Sequence, residues 1–161
     1  MTSNRAVAIL RIFLGLIFLT NGLAKFFPVI GYLPGGLSLI NTSSALGIIQ
    51  HNARHHPVKP YHDLVFNVFV PNWNIVGPMV GLAETVAGLM LVLGVASWMG
   101  ALLAAGQSLH IEFSDANGYW LFEYAVEWVP LLLLVFMHSG MTWGIDARIA
   151  ATNSRWRRLF G

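Results

Sequence analysis

The sequence predicts an all-α fold: a polytopic membrane four-helix bundle with a long extracytoplasmic loop that carries short interfacial helices. Composition is the first reason. Hydrophobic residues make up 56% of the 161 residues and charged residues only 10%, against about 25% charged in an ordinary soluble domain. So few charges cannot cover a water-facing surface of this size, which argues against a soluble enzyme and against a disordered chain. The second reason is pattern. The apolar residues come in long runs rather than in alternation, which disfavours a β-barrel. The length fits one domain over residues 1–161.

The first apolar run, residues 6–27, is long enough to cross a hydrocarbon core of ~30 Å. It is longer than a signal-peptide core, and no A-x-A site follows it. Residues 28–74 form the loop. Gly31-Tyr32-Leu33-Pro34-Gly35-Gly36 is a turn-rich break. Residues 37–52 and 61–70 each suit a short helix at the membrane surface. From Val76 to Phe113 there are 38 residues, about 57 Å as a single helix, far more than one bilayer. A break near Ser97-Trp98 divides them into spans at about 76–96 and 97–113. The fourth span, about 119–138, contains Pro130, which kinks a helix or frees a carbonyl.

Basic residues set the orientation. Arg148, Arg155, Arg157 and Arg158 follow the last span against one acid, Asp146, and Arg5 precedes the first. The third connection is acidic, with Glu112 and Asp115. Both termini are therefore expected in the cytoplasm, with the chain in the inner membrane and in contact with the lipid bilayer. Trp73, Trp98, Trp120 and Trp143 fall at span ends, as an aromatic belt requires. The absence of cysteine excludes disulfides, thiolate zinc sites and iron–sulfur clusters within the chain. A net charge of +2 without a basic groove argues against nucleic acid.

Ionisable groups at membrane depth are few, so their levels can be compared. With a rise of ~1.5 Å per residue, Glu84 and Glu127 each lie about 12 Å from the outer ends of their spans. Asn21, Lys25, Gln107, His110 and Glu123 also fall in the outer half, so every span contributes to one polar layer. Arg11, Gly15, Phe18, Gly22 and Lys25 form one helical stripe; Gly81, Glu84 and Gly88 form another. Glycines on such stripes allow close helix approach. Two readings stay open here. Lys25 paired with Glu84 or Glu127 sets helix register, or the excess of carboxylates marks a proton-exchanging or ligand-binding site. Arg11, about 8 Å from the cytoplasmic end, either snorkels to lipid phosphate or pairs with Asp146, and a structural role is expected. His110 and His138 lie at opposite membrane faces and cannot share a haem. The loop cluster His51, Arg54, His55, His56, Lys59 and His62 reads as a solvated surface, a metal-binding group or a cationic patch that gathers an anionic small molecule. No metal site is assigned.

Three segments carry a family resemblance. Arg11-Ile-Phe-Leu-Gly15-Leu-Ile-Phe-Leu-Thr-Asn-Gly22-Leu-Ala-Lys25-Phe26 resembles the first helix of the DoxX/DoxD membrane proteins. So does Val70-Pro71-Asn72 leading into Gly81-Leu-Ala-Glu84-Thr-Val-Ala-Gly88. Ser139-Gly140-Met-Thr-Trp143-Gly-Ile-Asp146 resembles that family's closing glycine-rich turn. The long loop is similar to the DoxD type, the small subunit of thiosulfate:quinone oxidoreductase. The resemblance implies a membrane subunit of a quinone-linked oxidoreductase, with quinone as cofactor. In that role Glu84 and Glu127 handle protons as the catalytic carboxyls, while Lys25, Gln107 and His110 bind the cofactor. No haem, flavin or iron–sulfur cluster is expected in this chain, so at least one other protein subunit is implied. The alternative is a non-catalytic accessory or assembly subunit of a larger membrane redox complex. A small transporter is a weaker option, because no inverted repeat is present.

Overall fold

The computed structural model describes residues 2–27, 32–33, 37–115, 125–152 and 155. Glu123, Trp120, Arg157, Arg158, the first residues of the fourth expected span and most of the Gly31–Gly36 turn lie outside them. The architecture is all-α apart from one two-residue strand pair. The elements are α1 (Thr2–Phe26), β1 (Tyr32–Leu33), β2 (Leu37–Ser38), α2 (Thr42–Arg54), α3 (Lys59–Leu64), α4 (Trp73–Leu93), α5 (Ser97–Ser114), α6 (Ala125–Phe136) and α7 (Ile145–Thr152). β1 and β2 pair antiparallel, with Leu33 opposite Leu37.

Local chemistry explains where the boundaries depart from expectation. The first loop helix starts at Thr42 rather than residue 37, because Asn41 Oδ1 accepts the Ser44 N–H at 2.8 Å and caps it. The second begins at Lys59, with Pro60 in its first turn, and runs into a wider π-helical turn at Val65–Phe69. α4 begins at Trp73 and stops at Gly94, whose φ of 63° is the left-handed cap that glycine adopts without strain.

α1 packs along α4, α4 on α5, α5 on α6, and α6 returns to α1. The core between them is built from Leu14, Phe18, Leu91, Leu131 and Leu134 with the small residues Ala87, Ala101, Ala104 and Ala105. The glycine stripes mesh as their spacing predicts. A Cβ on Gly22 would sit 2.5 Å from the Thr85 amide, and one on Gly15 would sit 2.8 Å from Leu91 Cβ. Gly88 lies against the Leu19 backbone and Gly81 against the Lys25 stem. This close approach of α1 and α4 brings Lys25 level with Glu84. A smaller core of Ala53, Tyr61 and Val65 joins α2 and α3 at one end of these helices.

The outer faces of α1, α4, α5 and α6 are apolar. Phe13, Met79, Leu102 and Leu133 are all at least half exposed. Among the described residues, Arg5–Phe26 and Trp73–Leu93 are each long and apolar enough to cross a membrane, and Ala125–Phe136 is apolar but shorter.

Candidate functional site: a polar cluster between two cavities

Lys25 sits in the last turn of α1, where a cation is favoured by the helix dipole. Its Nζ lies 2.6 Å from Glu84 Oε2, with side-chain exposures of only 3% and 10%. Lys25 Nζ also donates to the Ile40 carbonyl at 3.3 Å. Asn21 Oδ1 accepts the Ile40 N–H at 3.3 Å, and Thr42 Oγ1 donates to the Lys25 carbonyl at 2.9 Å. The Trp73 indole donates to the Thr42 carbonyl at 3.2 Å. The polar end of α1 therefore holds the entry to α2 and fixes both against α4.

Two cavities meet at Glu84. The inner one, about 440 Å³, lies between α1, α2, α4, α5 and α6 and is lined by Lys25, Glu84, His110 and Glu127 among mostly apolar side chains. The outer one, about 600 Å³, runs between α4 and α5 and is lined by Glu84, Gln107 and His110 with Trp98, Met99 and Leu102. Val80, Glu84, His110 and Ile111 belong to both walls.

Each residue singled out from the sequence now has a place. Lys25 pairs with Glu84, not with Glu127. Glu127 lines the inner cavity and accepts a hydrogen bond from the buried Ser108 hydroxyl at 3.0 Å. The Gln107 amide oxygen and nitrogen are both shielded and have no hydrogen-bond partner among the described residues. His110 Nε2 shares a hydrogen bond with Tyr61 Oη at 3.3 Å. Glu112 takes a different role and accepts from the Trp128 indole.

Sequence reasoning missed Tyr61. It is buried in α3 against Phe113 and His56, and burial raises its pKa above the ordinary tyrosine value, partly offset by a hydrogen bond with Ser114. His56 holds α3 in place: its Nδ1 accepts the Val58 N–H at 3.1 Å and its Nε2 donates to the Phe113 carbonyl at 2.8 Å. The remaining loop histidines stay on the outside. His51 and His55 stack edge to face at 6.1 Å. Among the described residues no group of three potential ligands is placed to hold a metal. Asp63 accepts from Lys59 and from His62, and those bonds, Lys59's first, hold its carboxyl below the usual range.

Arg11 lies elsewhere, at the opposite end of the α1 stripe, and is fully buried rather than extended to the surface. Its Nη2 donates to the Thr142 carbonyl at 3.4 Å. Asp146, also fully buried, acts on Arg11 through its charge. Its two oxygens accept the N–H groups of Ala96 and Ser97 at 2.7 and 3.1 Å, capping α5 from a distant part of the chain.

The DoxX family model matches residues 6–114, a stretch that contains Lys25, Glu84, Gln107 and His110 and ends before Glu127 and Asp146. No curated protein and no solved structure matches the chain. A match over two thirds of the sequence, laid on a fold whose helix exteriors are apolar, places the chain in the DoxX family of membrane proteins.

Proposed function

We propose that this chain is the membrane subunit of a quinone-linked oxidoreductase, of the DoxD type found as the small subunit of thiosulfate:quinone oxidoreductase. Its α1, α4, α5 and α6 form a four-helix bundle across the inner membrane, with both termini cytoplasmic. The apolar outer faces of all four helices support the span assignment, since hydrocarbon removes any reason for a polar exterior. One observation carries the site: a buried, ion-paired carboxylate, Glu84, stands in the shared wall of two mostly apolar cavities beside His110.

The residues fit a quinone. Both volumes fall in the range of about 300–1,000 Å³ usual for small-molecule sites, and each cavity offers a few polar groups in an apolar lining. Gln107 has a shielded donor and acceptor with no partner among the described residues, and it and His110 would hold the carbonyl oxygens. When bound, a quinone supplies an acceptor for two electrons and two protons. Glu84 and Glu127 hold and exchange protons, Lys25 balances negative charge, and the apolar lining excludes water. Electrons come from a second subunit on the extracytoplasmic side. There the exposed face of His51, Arg54 and His55 gathers anions.

Binding of a tail-less quinone to purified protein in nanodiscs, read by tryptophan fluorescence, tests this reading together with native mass spectrometry. Saturable binding and a co-purifying redox partner are expected. Absence of binding, with every cofactor in other subunits, would establish the accessory-subunit reading instead. Topology is checked by cysteine labelling: position 55 reacts from outside and position 155 is protected. The reverse pattern would invert the orientation.

A further inference from the structure

The quinone reading places a head group and leaves open how a membrane-dissolved molecule reaches it. We propose that the outer cavity between α4 and α5 is a lateral port that holds the long apolar tail of the substrate. The tail lies along Met99, Leu102, Leu103 and Gly106, with the head at Gln107, His110 and Glu84. This inference rests on the quinone reading and specifies its substrate as a long-tailed, lipid-soluble molecule.

Gly106 carries the argument. A glycine inside a helix costs stability relative to alanine, so a helical glycine needs a local reason. For the other glycines of α1, α4 and α5 the reason is contact: Gly15, Gly22, Gly77, Gly81, Gly88 and Gly100 each meet a neighbour within 3 Å of where a Cβ would stand. Nothing lies within 4 Å at Gly106 or at Gly47 of α2, and at Gly106 the open space belongs to the outer cavity. The missing side chain keeps the groove wide one residue from Gln107.

The groove also has the right polarity along its length. Met99, Leu102 and Leu103 are 46%, 50% and 39% exposed on its rim, at a surface that faces hydrocarbon if α5 spans the membrane. Its inner end carries the Gln107 amide, which has no partner among the described residues. Because Val80, Glu84, His110 and Ile111 line both cavities, a molecule in the groove already touches the wall of the inner chamber. An apolar tail on the lipid side and a carbonyl head on the protein side match this gradient.

The test compares a quinone bearing a long isoprenoid tail with its tail-less analogue, binding to wild-type, Gly106→Ala and Gly106→Phe protein in nanodiscs. Tryptophan fluorescence gives the readout, since Trp98 lines the groove. Gly106→Ala is expected to weaken the tailed quinone alone, and by less than Gly106→Phe does. Gly106→Phe fills the groove, and affinity for the tailed quinone is expected to fall roughly tenfold or more while the tail-less analogue binds within about twofold of wild type. Unchanged affinity for both molecules, or an equal loss for both, would overturn the port and leave the quinone site standing. Failure of wild-type protein to bind either molecule would overturn the quinone reading and the port together. If Gly106→Phe does not fold, Leu102→Trp narrows the same groove from an exposed position and is judged by the same outcomes.

Discussion

Arg11 and Lys25 lie on one stripe of α1, about four turns apart, and both side chains are withdrawn from solvent. Each is accompanied by a buried carboxylate, Asp146 for Arg11 and Glu84 for Lys25. Their surroundings differ. Asp146 gives both oxygens to backbone amides at the start of α5, and glycines crowd the group so tightly that a Cβ on Gly94 or Gly140 would collide with Arg11 or Asp146. Glu84 is held through one oxygen by one lysine, and its side chain borders two cavities. A carboxylate that spends its lone pairs on the fold serves the fold. One that keeps an open side in a chamber can serve a ligand. Burial and pairing alone do not separate the two cases; what the rest of the carboxylate faces does.

The comparison breaks most readily at the closed end. Arg11→Ala truncates a fully buried side chain and removes a charge that acts on Asp146, a change of the kind that costs about 2–5 kcal/mol. The expected result is a large loss of stability in detergent unfolding followed by circular dichroism, with quinone affinity in the surviving folded protein unchanged. A variant of wild-type stability that no longer binds quinone would place Arg11 in the site and cancel the contrast.

At the open end the expected change is in binding rather than stability. Glu84→Gln keeps a hydrogen-bond acceptor for Lys25 while removing charge and proton exchange. Quinone affinity should drop roughly tenfold, while stability falls by less than the ~3–5 kcal/mol of a fully broken buried pair, because the amide still accepts from Lys25. In the double variant Glu84→Gln with Lys25→Met, stability should recover if any was lost, while binding should not. Full binding by Glu84→Gln would reduce the pair to a device for helix register.

Much of this contrast was legible in the sequence. The stripes Arg11–Gly15–Gly22–Lys25 and Gly81–Glu84–Gly88 follow helical spacing, and close packing of α1 on α4 followed from them. Depth along each span put Lys25, Glu84, Gln107, His110 and Glu127 in one layer, because rise per residue is fixed. Depth does not fix rotation about a helix axis, so the choice between Glu84 and Glu127 as the partner of Lys25 stayed open. Two features were illegible for a different reason. Tyr61 reaches His110 only because the loop folds α3 back onto α5, and Asp146 caps α5 by accepting two backbone amides, which no side-chain pattern advertises.

Tyr61 offers a smaller and sharper test of the open end. Tyr61→Phe removes the hydrogen bond to His110 and should cost about 1 kcal/mol. The pH dependence has a definite sign. Because the folded protein holds the Tyr61 proton more tightly than the unfolded chain, the group's contribution is complete below the unfolded tyrosine value of about 10 and is lost as pH rises through the folded one. Wild-type stability should therefore fall more steeply than that of Tyr61→Phe above pH ~10. Identical alkaline limbs in unfolding measured against pH would show that Tyr61 is not sealed from water.

The smallest effect comes from a third pair, which supplies the exposed limit of the comparison. Lys59 Nζ lies 2.7 Å from Asp63 Oδ2, nearly the distance of the Lys25–Glu84 pair, yet the side chains are 81% and 42% exposed against 3% and 10%. If separation decided strength, the two pairs would matter equally. Water and salt screen the exposed one, and holding two mobile side chains together offsets much of what attraction remains. Lys59 and His62 hold the Asp63 carboxyl below its ordinary range, so any stability it provides is present above the unfolded carboxylate value and lost as pH falls through the folded one. Lys59→Ala should move the Asp63 titration upward in carbon-detected NMR of selectively labelled protein and leave the unfolding transition where it was. A shift of that transition as large as the one caused by Arg11→Ala would mean that enclosure is not what separates these charge pairs.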